Sequence, residues 1–438
     1  MTATAGDIHR TIQAVWRIDS ARIIGALARK VRDVGLAEDL AQEALLAAIE
    51  QWPREGLPDN PAAWLTTTAT RRAIDLLRQR NLHAGKEDEI SRELDARHAM
   101  AASDFAEAVD AALDDDMGDD LLRLIFTACH PVLAPEARVA LTLRLLGGLG
   151  VDEIARSFLV PAATIAQRIV RAKRTLAAAR VPFEAPRAHE LAPRLASVLE
   201  VIYLVFNEGY SATAGDDWMR PALCDEALRL GRILAGLVPD EAEAHGLVAL
   251  MEIQASRAAA RVDANGDPIL LLDQNRARWD RVLIGRGLAA LARAEALGSA
   301  LGPYALQAAI AACHAHARTA AETDWPRIAA LYEALAQLAP SPVVELNRAV
   351  ALSMAFGPAI GLERVDALRD EPLLQAYHLL PSVRGDLLAR LGRRREACEE
   401  FKRAAGLTRN ARERKLLLAR ALACSASPDG LPATSADR

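Results

Sequence analysis

About one residue in five of this chain is alanine, while Phe, Trp and Tyr together make up only 4% of it. Alanine is the best helix former. Strands need alternating runs of β-branched and aromatic residues, and such runs are few. The composition argues against a β-sandwich, a barrel or a doubly wound sheet and predicts an all-α fold. At 438 residues the chain is expected to hold more than one folding unit, since domains run to roughly 100–200 residues.

Five cysteines without a CxxC pair fit a reducing compartment better than a disulfide framework. Asp7, His9 and Arg10 stand where a secretory signal would need an apolar core. No apolar run approaches the ~20 residues of a membrane span. These features predict a cytoplasmic protein with no membrane partner.

The net charge of −5 conceals a strong local pattern. Residues 71–80 (RRAIDLLRQR) carry four arginines against one aspartate, and residues 87–120 carry thirteen acids against two arginines, a net −11. Residues 154–183 then contain no acid but hold Arg156, Arg168, Arg171, Lys173, Arg174 and Arg180. The expected organisation is a helical unit over 1–85, an acidic linker over 86–120 that can bury little, and a second unit over 121–183. A helical domain over 184–425 and a flexible tail over 426–438 follow.

In the second unit, Gly150 and Asp152 start a short helix, Phe158–Pro161 form a turn, and a longer helix follows. This is helix-turn-helix spacing. Ile165, Ile169, Ala172 and Leu176 recur at intervals of four, three and four and predict a buried face. Thr164, Gln167, Arg168, Arg171 and Arg174 fall on the other side. Arginine and glutamine make bidentate bonds to base edges, worth about 1–3 kcal/mol of discrimination each. Lys173 and Arg180 are placed for phosphates, which position without specifying.

In the first unit, GLAEDLAQEALLAAIEQW predicts a helix from near Leu36, with Leu36, Leu40, Ala44 or Leu45 and Ile49 on its inner face. Pro53–Pro61 is expected to be a loop, and a helix follows from Ala62 to Arg80. Arg71 and Arg78 share a face of that helix with Asp75, and Arg71–Asp75 has the spacing of a supporting i,i+4 pair. Arg72 and Arg80 flank them. Trp64 suits a core position beside Leu65, or a stacking platform. Asn60 suits an N-cap for the helix, or a hydrogen-bonding group for a base edge.

These segments, taken in order, resemble an extracytoplasmic-function (ECF) RNA polymerase sigma factor. Ala37-Glu38-Asp39-Leu40-Ala41-Gln42-Glu43 resembles the region 2.2 helix. The resemblance implies polymerase binding by Asp39, Leu40, Gln42 and Glu43. Asn60 through Leu65 and Arg71 through Arg78 resemble regions 2.3–2.4. This implies contacts to the −10 element by Asn60, Arg71, Arg72, Asp75 and Arg78, with the loop 51–61 capping a flipped base. Arg71 stands where family members often have asparagine. Leu133 through Leu176 resembles region 4, and implies contacts to the −35 element by Thr164, Gln167, Arg168, Arg171, Lys173 and Arg174. The acidic linker would thread toward the polymerase channel as an electrostatic mimic of nucleic acid.

Beyond residue 184, alanine-rich helices are punctuated by Pro239, Pro303, Pro340 and Pro381. Gly385, Ala397, Phe401 and Ala404 fall at tetratricopeptide spacing. Tyr332, Leu335 and Pro340 fit the end of another unit, and Ala227, Leu234 and Pro239 a third; residues 254–300 fit poorly. A degenerate helical-hairpin, TPR-like solenoid is expected. Tyr203 through Tyr210 and Leu270 through Trp279 resemble the extension of one sigma-factor subgroup, which implies a regulatory domain or a docking place for a regulatory protein. Asn207, Glu208 and Tyr210 suit a groove, or a helix end with Gly209 as its cap.

Enzyme signatures are absent: there is no GxSxG, Walker or GxGxxG segment. Asp263, Asn265 and Asp267 begin like a calcium loop, but Pro268 replaces its glycine and no glutamate follows, so a turn is expected. His314 and His316 fall on different faces of a helix and make a poor metal pair. No catalysis, metal or cofactor is expected. The alternative is a helix-turn-helix regulator or adaptor with a helical-repeat interaction domain that never engages polymerase.

Overall fold

Helices dominate, as the alanine content requires. The computed structural model describes residues 5–84, 119–158, 160–297 and 300–425, which form two compact units, Met1–Leu204 and Val205–Arg438. The acidic segment 86–118 and the tail 426–438 lie outside the described residues.

The first unit opens with α1 (Ala5–Val31), α2 (Val34–Glu55) and α3 (Pro61–Ala84). Arg32, at φ 54, turns the chain between α1 and α2. Asp33 caps α2, its Oδ1 accepting from the Leu36 N–H at 3.0 Å. Asn60 accepts from the Ala63 N–H at 3.1 Å and caps α3. The core joins Ile12, Ile24 and Leu27 of α1 to Ala37, Ala41, Ala44, Ala48 and Trp52 of α2 and to Leu65, Ala69 and Ala73 of α3. Small side chains let the three backbones approach, and each buried leucine or isoleucine contributes about 1.5–3 kcal/mol.

One expectation holds in part and one fails. Leu40 and Ala44 are buried on the inner face of α2 as expected, with Leu36 and Leu45 half-buried, but most of that face is alanine and Ile49 is exposed. Pro53 does not end α2 but sits in its last turn, and Gly56 at φ 93 ends it. A proline there removes a single late backbone bond, which is a small loss.

A helix over 119–128 (α4), α5 (Pro135–Leu145), α6 (Val151–Phe158) and α7 (Ala162–Ala178) follow, then α8 (Ala188–Tyr210), within which the two units divide. Asp120 is buried at 3% exposure and lies 3.3 Å from Arg29 of α1, so the acidic stretch ends inside the fold. The first part of α8 locks onto α4 and α5. Ser197 donates to the Cys129 carbonyl at 2.6 Å, Arg194 to the Phe126 carbonyl at 2.8 Å, and Arg138 to Glu200 at 2.9 Å.

The second unit contains α9 (Pro221–Leu237), α10 (Ala242–Ala255), α11 (Arg281–Ala296), α12 (Pro303–His316), α13 (Trp325–Leu338), α14 (Pro342–Phe356), α15 (Pro358–Ala367), α16 (Leu379–Arg390), α17 (Arg394–Leu407) and α18 (Ala411–Ser425). Successive helices pack as hairpins. In α16–α17, Gly392 at φ 77 makes the turn and Phe401 sits over Gly385, where a Cβ would come within 2.9 Å of the ring. The stretch 256–280 departs from the pattern as short 3₁₀ turns and a tight loop. Its Asp263 Oδ1 accepts the N–H groups of Asn265 and Asp267, while Asp267 pairs with Arg412 at 3.0 Å, so the calcium-like stretch is a tethered turn. Gly209 does not cap α8 but lies within it. A Cβ there would meet the Cys224 backbone nitrogen at 2.6 Å, so Gly209 permits the approach of α9. The parallel pair β1 (Ala214–Gly215) and β2 (Arg409–Asn410) joins the start of this unit to its end, with Asn410 donating to the Ala212 and Asp217 carbonyls.

Candidate nucleic-acid interface

The helix-turn-helix forms as its spacing predicts. Pro161 stands at the N-cap of α7, where its missing N–H costs nothing. Ile165, Ile169, Ala172 and Leu176 are the buried residues of α7. Gln167, Arg171 and Arg174 are exposed, with Thr164 and Arg168 half-buried beside them. Three groups capable of reading or gripping a nucleic acid thus lie along the outer side of one helix.

Lys173 is turned elsewhere. Its ammonium lies 2.6 Å from the carboxylate of Glu38 and 3.2 Å from that of Asp39, both on α2. Glu38 is 2% exposed and also receives Arg144 Nε at 2.6 Å. Neither the burial of the Glu38 carboxylate nor its link to α7 follows from the sequence pattern. The signal lay in an acid inside an otherwise small-residue face, which needs a cation once buried.

On α2 itself, Asp39, Glu43 and Leu46 are exposed at helical spacing with Gln42 half-buried among them. Leu40 is buried at 4% exposure and belongs to the domain core, because it shares the alanine face. On α3, Arg71, Asp75 and Arg78 are exposed and Arg72 is half-buried. Asp75 lies 3.8 Å from Arg78, and this replaces the expected pair with Arg71. Arg72 donates to Glu43 of α2 at 2.8 Å. Trp64 is half-buried and packs edge-on against the buried Trp52, with ring centroids 5.4 Å apart. The loop before α3 presents Leu57 and Asn60 to solvent.

Two basic helices, one in each half of the first unit, are the pattern of a nucleic-acid-binding protein. Residues 19–82 match Sigma-70 region 2, and residues 123–176 match Sigma-70, region 4. Residues 194–295 match a family of unknown function, DUF6596. The "ECF RNA polymerase sigma factor SigK" of Mycobacterium ulcerans (strain Agy99) is 32% identical over 161 residues, which is 35% of this chain and 78% of that protein. The "Probable ECF RNA polymerase sigma factor SigI" of Mycobacterium tuberculosis (strain CDC 1551 / Oshkosh) is 27% identical over 187 residues, covering 42% of this chain and 61% of SigI. Over a much longer span, "Uncharacterized protein R00370" of Rhizobium meliloti (strain 1021) is 46% identical across 391 residues, 89% of this chain and 90% of its own length.

The chain belongs to the ECF RNA polymerase sigma factors and carries a C-terminal extension. It directs transcription initiation, with core RNA polymerase and promoter DNA as its partners. Among the described residues no helix is long and apolar enough to cross a membrane.

Proposed function

We propose that α2 supplies the polymerase contact through Asp39, Gln42 and Glu43, with Leu40 shaping that helix from within. On this reading the exposed Leu46 extends the same stripe with apolar area. The Asn60 loop with Arg71, Arg72, Asp75 and Arg78 engages the −10 element. The row Thr164, Gln167, Arg168, Arg171 and Arg174 reads the −35 element, and Lys173 takes a phosphate there. Residues 1–85 and 121–183 are the two working domains, with 86–120 as the acidic tether between them. The extension expected over 184–425 supplies a regulatory domain that acts in cis or receives a regulatory protein, its first helix packing in part on the first unit. The chain works in the cytoplasm as a specificity factor and leaves the bond-making chemistry to polymerase.

The observation that carries this reading is the separation of α7 into a buried aliphatic row and an exposed Gln/Arg row. A second observation adds a condition. Lys173 cannot hold Glu38 and Asp39 while it grips a phosphate and Asp39 grips polymerase. The α2–α7 contact therefore opens on assembly, drawn open by the partners' higher affinity for the open form. Run-off transcription with core polymerase and no other initiation factor tests the function. Defined transcripts from a promoter with two elements about one and a half turns apart are expected. Repression or no product would return the chain to the class of adaptors that never engage polymerase.

A further inference from the structure

Three arginines of the second unit are packed together, and the one carboxylate whose charge acts on them, that of Glu322 on Arg276, forms no ion pair with it. Among the described residues, Arg257, Arg261 and Arg276 make no ion pair, although Arg261 and Arg276 are 7% and 6% exposed. Their hydrogen bonds run to neutral acceptors. Arg257 donates to the Tyr210 hydroxyl and Arg261 to the Tyr210 carbonyl. Arg276 donates to the His314 and Ala317 carbonyls at 2.7 and 2.8 Å and to the Thr323 hydroxyl at 3.0 Å. Aromatic faces interleave them. Arg261 lies 3.4 Å from the Tyr210 ring centroid, and Arg257 and Arg276 lie 5.8 and 5.0 Å from that of Trp279.

Cation–π contact offsets part of the desolvation of such a group, but like charges remain adjacent. Burial first, and then Arg257, hold Arg261 and Arg276 below the usual guanidinium range, with the Glu322 carboxylate offsetting only part of this at Arg276. Four nitrogens are buried with no hydrogen-bond partner: Arg257 Nε, Arg276 Nε, Trp279 Nε1 and His314 Nδ1. Three of these are obligate donors, and a neutral histidine can present the fourth. Unsatisfied buried donors are strongly unfavourable, most of all charged ones.

We propose that this cluster is the binding site for a small multivalent oxyanion, a phosphate or a polycarboxylate. Its oxygens accept from the arginine and tryptophan nitrogens. It enters from the side where Tyr210, Trp218 and Arg257 are half-exposed. Three positive charges match a ligand with two or three negative ones, and guanidinium groups suit planar oxyanion pairs. The site joins the two segments, Tyr203–Tyr210 and Leu270–Trp279, that stood out in the sequence. Binding stands apart from the sigma-factor reading; only a regulatory consequence of it rests on that reading.

Thermal unfolding of the full chain with inorganic phosphate or citrate, against chloride at equal ionic strength, tests the site. At roughly 100 times Kd a rise in Tm of about 5 °C is expected. A response to phosphate alone identifies a phosphate ligand, and one to citrate alone a carboxylate. Arg257→Gln should abolish the rise, whereas Tyr210→Phe, which keeps the stack, should retain it. Where Arg257→Gln does not fold, Arg257→Lys is used and should respond at least tenfold more weakly. The proposal is overturned if neither anion exceeds chloride, or if the Arg257 variant responds like the parent chain. Run-off transcription with the effective anion then reads regulation separately from binding.

Discussion

Lys173 of α7 holds its ammonium 2.6 Å from the carboxylate of Glu38 on α2, tying the Sigma-70 region 4 segment to the region 2 segment. Glu38 is buried, so its negative charge depends on Lys173 and Arg144 for compensation. Removing one partner of such a pair leaves an uncompensated charge and destabilises strongly. The contact is both a structural tie and a cover over one end of the α2 stripe proposed to meet polymerase.

Lys173→Met keeps the aliphatic stem but removes the charge, leaving Arg144 to hold Glu38. The expected result is a loosened contact between α2 and α7, with a loss of about 1–3 kcal/mol in stability. Affinity for core polymerase, followed by fluorescence anisotropy, should rise several-fold because Asp39 is uncovered. Equal or weaker polymerase binding would show that the contact does not restrain assembly.

The two proposed surfaces should separate by mutation. Arg168→Ala with Arg171→Ala is expected to weaken −35 DNA binding by roughly ten- to a hundredfold and spare polymerase binding. Asp39→Ala with Glu43→Ala should do the reverse, although Glu43→Ala also frees Arg72 from its 2.8 Å bond. Binding to core polymerase and to a −35 duplex is measured for both double variants. Equal losses in both assays from both would end the division of labour.

The face of α7 was legible because its inner row is aliphatic and its outer row charged, and local periodicity reports such a contrast directly. On α2 the pattern found Leu40 and Ala44, which are buried, but the rest of the inner row is alanine and Ile49, assigned to it, stands outside. Periodicity gives small side chains little weight, so it located the centre of that face and misjudged its edge. The arginine cluster was invisible for another reason: it assembles from Tyr210, Arg257, Arg276 and His314, which lie on separate elements joined by an irregular stretch. The Glu38–Lys173 tie likewise spans 135 positions, beyond any local pattern.

Glycine positions offer a paired test of the alanine-rich packing. At Gly246 of α10 a Cβ would stand 2.7 Å from the Ala305 backbone nitrogen of α12, whereas at Gly285 of α11 it meets nothing within 4 Å. Gly246→Ala should lower stability by about 1–3 kcal/mol through overpacking. Gly285→Ala should raise it by about 0.4–1 kcal/mol, since alanine favours the helix and restricts the unfolded chain. Denaturant unfolding of the two variants decides, and equal effects would contradict the close approach of α10 and α12.

Acid stability should depend on His314. Burial, then Arg257 and Arg276, push its pKa down to about 4. The unfolded chain, at about 6.5, therefore binds the proton more readily than the folded one. The stabilisation is complete above pH 6.5 and is lost as pH falls toward 4, about 2 kcal/mol of it by pH 5. His130 in the first unit is pushed down to about 4 by burial and Arg194, with the same sign, so the comparison is with a variant. His314→Gln should show a shallower fall in Tm of its unit between pH 7 and 5. An identical fall would remove His314 from the acid response.

The extension's effect on transcription must be read with the correct cut. A chain ending near 185 loses Arg194, Ser197 and Glu200, which satisfy the Phe126 and Cys129 carbonyls and Arg138. It also strips Leu195, Val198 and Leu199, which are buried at 4% exposure or less. Residues 1–185 should therefore melt more than 5 °C below residues 1–210, the decrement expected when several buried apolar side chains lose their cover. Only the longer fragment tests regulation, because it keeps the first unit intact while deleting α9 to α18. If it transcribes at a rate different from the full chain while melting normally, the extension acts in cis. If the two fragments melt alike, α8 is a connector rather than part of the first unit.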